Sequence, residues 1–214
     1  MSATELMPDT TGRILGSSKR LSIGASDLLD LLSGAIIATG KDYTLPTLTG
    51  IQLISDGESL TATATDRYRL ITGKVAVKGS PFTILLQNKD AALVISALKP
   101  LAKRHDPRPI SLELGTRELL VRLPEQTFNF RLLDGTFPPF EHLLASEPAD
   151  SGKMAFNCAF LGDFAKIPTG AKSGQVPVVF TFHGNSKLVT LTVAHDFIEW
   201  RGGIMPMRYG KDTK

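Results

Sequence analysis

The sequence predicts an α+β protein, mostly antiparallel sheet with its helices gathered on one face. Three observations predict it. One order of elements, a short apolar strand, a helix, then two or three strands, occurs three times. Each copy takes roughly sixty to seventy residues, the mark of an architecture built by addition. The strand connections carry tight-turn pairs: Asp56-Gly57, Gly115-Thr116 and Gly184-Asn185.

The first copy opens with a strand over 20–24. Ser26 is placed to cap a helix whose apolar residues Leu28, Leu29, Leu31, Leu32, Ala35 and Ile36 form one broad face, with Gly40 as the stop. A loop over 41–47 holds Pro46. Strands follow on both sides of Asp56-Gly57, then the polar run Thr65-Asp66-Arg67-Tyr68-Arg69, then a strand from Leu70. The second copy begins at 82–86. Asn88 is placed to cap a helix carrying Ala91, Leu93, Val94, Ile95, Ala97 and Leu98, which Pro100 ends or kinks. Strands meet at Gly115-Thr116 and near Pro124-Glu125, and Asp134-Gly135-Thr136-Phe137-Pro138-Pro139-Phe140 closes the unit. The polar stretch 146–152, with Pro148, is the best boundary. The third copy has a strand over 154–157, a short helix from Ala159 interrupted by Pro168, and strands turning at Gly184-Asn185 and at Ala194-His195-Asp196. The organisation expected is a loose arm over 1–18, two repeat units over 19–145, a third unit over 152–208 and a loose tail over 209–214.

Composition bounds function. The chain has 214 residues, 42% hydrophobic and 21% charged, as soluble globular proteins have. Its 24 Lys and Arg against 21 Asp and Glu leave +3, so a nucleic-acid role needs a local basic surface. No apolar run reaches membrane-span length, and the first 18 residues lack the apolar core of a signal peptide. Cys158 is the single cysteine, which excludes an intrachain disulfide and suggests a reducing, cytoplasmic setting; a small buried hydrophobe is its expected role. His105, His142, His183 and His195 lack metal-ligand spacing, and the sequence holds no nucleophile elbow, phosphate loop or dinucleotide fingerprint. Asp66 and Asp134 sit in turn-like contexts, where a carboxylate accepts backbone hydrogen bonds. An enzyme is therefore not expected, nor a cofactor or metal. Trp200 is expected in the core or a sheet.

Three segments carry a resemblance. Thr65-Asp66-Arg67-Tyr68-Arg69-Leu70 resembles the Thr-Asp-Gly-His-Arg-Leu of bacterial DNA polymerase III beta subunits, the sliding clamps. The 134–140 segment is similar to their Asp-Gly-Arg-Phe-Pro-Asp-Tyr, and Met205-Pro206-Met207-Arg208 matches their Met-Pro-Met-Arg. The order is the family's, and the resemblance covers most of 21–208. It implies the DNA-clamp (processivity-fold) architecture, with antiparallel sheets outside and helices lining a channel. A family clamp has six units per chain and closes as a dimer. Here 21–144 resembles the middle domain and 152–208 only the second half of the last one. The unit that normally precedes this last half has no counterpart. Self-association is therefore expected, with two third units completing one domain in an isologous contact, so that four chains supply twelve units. The reduced size suggests a phage or mobile element.

The resemblance also implies sites. In the family, partner proteins insert a motif rich in Gln, Leu and Phe between the middle and last domains. The matched positions are Thr65, Arg67, Tyr68, Arg69, Leu70, Pro138, His142, Leu143, Ile204, Met205, Pro206 and Met207. Leu, Pro and flexible Met give such a groove area and adaptability. Arg67 stands where the family has glycine, so the preferred motif can differ. Duplex DNA is the second expected partner, through Lys99, Lys103, Arg104, Lys166 and Lys172 on or after the helices, and Lys41 and Tyr43 in the loop after the first helix. Such a protein tethers a DNA polymerase to its template. The alternative is an adaptor or decoy that keeps the groove and never encircles DNA.

Overall fold

The protein is described by a computed structural model, which covers residues 19–103, 108–150, 152–170 and 176–208. The expected arm and tail, and Arg104 and Lys172, lie outside the described residues.

The first unit comprises β1 (Lys19–Ile23), α1 (Ala25–Ala35), then β2 (Gly50–Ser55), β3 (Ser59–Thr65) and β4 (Arg69–Ala76), with a two-residue strand β5 (Lys78–Gly79) after them. The second comprises β6 (Phe82–Gln87), α2 (Asn88–Lys103), β7 (Ile110–Leu114), β8 (Glu118–Arg122) and β9 (Thr127–Arg131). A short helix α3 (Glu141–Leu144) follows. The third comprises α4 (Cys158–Phe164), β10 (Val178–Thr181), β11 (Val189–Val193) and β12 (Ile198–Ile204).

Each trio of strands is an antiparallel meander. The Asp56-Gly57 hairpin forms because Gly57 takes φ 102° and the Asp56 carboxylate accepts the N–H groups of Glu58 and Ser59 at 2.9 and 2.6 Å. The leading strands do not stay with their own meanders. β1 pairs with β7, Leu21 opposite Leu112, and β6 pairs with β2, Leu53 opposite Ile84. The result is a five-stranded sheet, β5-β1-β7-β8-β9, and a seven-stranded sheet, β10-β11-β12-β4-β3-β2-β6. β12 joins the third meander to the first through β4, with Gly202 opposite Ile71.

α1 and α2 pack together over the inner sheet faces. Leu28, Leu31, Leu32 and Ala35 of α1 and Val94, Leu98 and Leu101 of α2 are buried there, at the i, i+3, i+4 spacing of one helix face. Trp200, 1% exposed, fits against Gly34 of α1 and Gly73 of β4.

Five local expectations are corrected. Gly24, not Ser26, is the N-cap of α1, and its carbonyl accepts from Leu28 N–H at 3.0 Å. α1 stops at Ala35 and tightens into a 3-10 turn, Ile36–Ala38, before Gly40. α2 runs through Pro100 to Lys103, because tertiary packing of Leu98 and Leu101 outweighs the one hydrogen bond proline removes. Cys158 is exposed, being the first residue of a seven-residue helix of which only Phe164 is buried. The predicted strand at 154–157 reduces to one bridge, Ala155 to Met207.

Candidate peptide groove and helix face

The groove candidates come from three chain segments. The turn between β3 and β4 is built by Asp66, whose carboxylate accepts Tyr68 N–H and Arg69 N–H, both at 3.0 Å, while Thr65 Oγ1 donates to the Arg69 carbonyl at 2.8 Å. Arg67 occupies the left-handed region at φ 77°, which directs its side chain outward. The chain leaving β12 meets this turn directly: Met205 N–H donates to the Tyr68 carbonyl at 2.8 Å. Below them, Leu70 joins Leu85, Phe137 and Phe140 in a small separate apolar cluster, with Leu133 and Leu144 against it. This cluster holds the Phe137-Pro138-Pro139-Phe140 segment and α3 in place. Arg201 Nη2 adds a hydrogen bond to the Leu144 carbonyl at 3.2 Å, tying α3 to β12.

The sequence-predicted groove residues thus divide. Tyr68 (56% exposed), Met207 (54%), Met205 and Leu143 present apolar area to solvent. His142 is exposed, and Pro138 and Pro206 are half-buried. Ile204 and Leu70 are buried and support from beneath. Arg69 is also buried. Its guanidinium bonds Asp66 Oδ2 at 3.1 Å and Asp163 Oδ2 of α4, and lies 4.6 Å over the Phe160 ring. Arg69 therefore clamps the turn to α4, and Tyr68 stacks on the same Phe160 at 6.2 Å. Asp163 and Phe160 were not among the expected residues; lying more than ninety positions from the turn, they share no sequence pattern with it. The Lys166 and Arg69 hydrogen bonds hold the Asp163 carboxyl below the usual carboxylate range. A cavity of about 240 Å³ shares Leu85, Leu133 and Phe137 with the cluster but opens between β6 and the β7–β8 turn, away from Met205 and Tyr68.

On the helix side, Lys99 and Lys103 are exposed one turn apart on α2, in line with exposed Lys89, Leu93 and Ser96. Lys41 and Tyr43 stand exposed in the loop after α1. That loop is folded by Asp42, whose carboxylate accepts from Thr44 Oγ1 and Thr44 N–H and is held below its ordinary range by these bonds first and by Arg67 last. Lys166 differs: its ammonium is bonded to Asp163 Oδ1 at 2.5 Å. No helix among the described residues is long and apolar enough to cross a membrane.

Residues 22–139, more than half of the chain, match the family described as DNA polymerase III beta subunit, central domain. The chain belongs to that family. Among its relatives, the beta sliding clamp of Halalkalibacterium halodurans is 29% identical over 154 residues, which are 71% of this chain and 40% of the relative. The beta sliding clamp of Synechocystis is 25% identical over 137 residues, 59% of this chain and 35% of the relative. The chain thus spans well under half the length of the curated beta-clamp relatives it matches. The fold is the clamp fold: the DNA polymerase III beta subunit of Thermotoga maritima superposes with a TM-score of 0.75 at 14% identity, over 95% of this chain and 68% of that one. The Pseudomonas aeruginosa sliding clamp, solved with a ligand, gives 0.73 at 16% identity over 95% and 69%.

Proposed function

We propose that the chain is a sliding-clamp-like processivity factor of DNA replication. It holds a DNA polymerase, or another protein bearing a clamp-binding peptide, beside duplex DNA, and it acts without catalysis. The observation that carries this reading is the hydrogen bond from Met205 N–H to the Tyr68 carbonyl. It sets the segment that carries exposed Met205 and Met207 beside the turn that carries exposed Tyr68, next to Leu70 of the small apolar cluster. An extended peptide with large apolar side chains suits such a wall, since Met adapts to irregular shapes and Tyr offers rigid area. Arg67 narrows the mouth, so the favoured motif carries an acceptor or carboxylate near it. Lys41, Lys99 and Lys103 would meet phosphates without reading bases. Tethering raises the effective concentration of the polymerase at its template with no tight base contact.

The test is binding of a fluorescent peptide rich in Gln, Leu and Phe to the full chain. Met207→Ala should weaken it by about 1–3 kcal/mol, as expected for an anchor residue. Unchanged affinity in that variant removes Met207 from the site and this reading with it.

A further inference from the structure

The three leading segments have a common environment, except in one respect. Leu21 of β1 pairs with Gly79, in the strand that follows its own meander, and on its other side with Leu112 of the other unit. Leu85 of β6 likewise accepts from Leu133 N–H, in the chain following its own meander, while β6 lies along β2 of the other unit. In the third unit, Ala155 takes the first of these positions: Met207 N–H donates to its carbonyl at 2.8 Å. The second position is vacant among the described residues, and so is the matching one beside β10. That strand ends its sheet.

We infer that two copies of this chain associate about a two-fold axis, each laying residues 154–157 along β10 of the other. Units one and two already make this exchange within one chain. Ala149 N–H donates to the Phe182 carbonyl at 3.0 Å, so residues 147–149 cover the Phe182–His183 end of this edge, show that Phe182 turns its main chain toward it, and leave Val178–Thr181 open. By the alternation of an extended strand, Phe180 and Val178 do the same. No charged residue occurs from Val176 to Phe182 or from Met154 to Phe160, so the two strands meet without like-charge repulsion. Val179 (55% exposed), Phe180 and Phe182 form an apolar edge of the kind that pairs with another strand, and Leu161 leaves α4 with exposed apolar surface where α1 and α2 cover each other. A second copy is the partner that fits. A bound peptide covers β10 and leaves 154–157 bare, whereas a copy fills both vacancies at once, and the isologous contact closes rather than propagating.

This inference rests on the strand topology and not on the groove, so a mass measurement and peptide binding fail independently. Light scattering on the full chain should give at least twice the 23.1 kDa chain mass. Phe180→Pro removes an N–H that faces the free edge, a place where proline is tolerated in a strand. Val179→Lys puts a charge in the contact. Each should return a 23.1 kDa particle with unchanged far-UV dichroism, and either one that folds is decisive. A wild-type monomer at micromolar concentration overturns the inference, as does a larger particle that a folded edge variant leaves intact.

Discussion

Single residues decide how tightly the third meander is held to the first. A Cβ on Gly34 would stand 2.1 Å from the Trp200 ring, and one on Gly73 2.5 Å from it. Both are contacts no side chain can make, so Trp200 can cross from β12 into the α1–β4 layer only because both positions lack a side chain. Gly34→Ala should therefore destabilise by about 1–3 kcal/mol through overpacking, although alanine is the better helix former. A denaturant midpoint at or above the wild-type value would show that Trp200 can move aside. Asp56 gives a second residue-scale test. Hydrogen bonds from Ser59 and Glu58 lower its pKa from 3.8 to about 2. A carboxyl depressed on folding stabilises above its unfolded value and loses that contribution as pH falls toward the folded one. Thermal melts of wild type and Asp56→Asn should differ at pH 6 and converge between pH 4 and 2. Curves that stay parallel throughout would mean that the turn does not depend on the ionised carboxylate.

At the scale of elements, the sequence is most legible where a turn has its own chemistry. Asp56-Gly57 and Gly115-Thr116 lie at the hairpins, and the Phe137–Phe140 segment was marked by its family resemblance. What was illegible depends on contacts distant in sequence. Nothing local shows that β1 and β6 exchange meanders, since either apolar strand satisfies either sheet edge. Pro100 read as a helix end or kink, and that the helix continues depends on packing neighbours that cannot be seen in the chain. Cys158 read as core because burial follows from what a seven-residue helix leaves uncovered. The Arg69–Asp163 clamp belongs to the same class. It joins the β3–β4 turn to α4, which buries only Phe164 of its own seven residues, so α4 depends on it more than a longer helix would. Asp163→Asn should accordingly raise amide exchange over 158–164 while exchange in β3 and β4 stays near wild type. Uniform acceleration across the sheet would make the clamp a general support instead.

For the whole molecule, the proposed duplex contact has to work at a net charge of only +3, so it matters which cations are unpaired. On the five-stranded sheet Arg20 and Arg122 converge on Glu113 at 3.0 and 2.9 Å. On the helix side, Lys41, Lys99 and Lys103 make no ion pair among the described residues, and the two α2 lysines stand one turn apart in solvent. Arg20 and Arg122 are thus engaged by a carboxylate, whereas the ammonium groups of Lys41, Lys99 and Lys103 are available to phosphates. Binding through that face should weaken with salt and ignore sequence, each phosphate contact adding about 0.9 to the slope of log K against log salt. Replacing Lys99 and Lys103 together by Ala should reduce that slope by about 2 on any duplex, since each lost phosphate contact removes about one unit. Peptide affinity should not change, because the proposed groove lies on the β12 side. A slope that the double variant leaves as steep as before would place the duplex on some other surface of the chain.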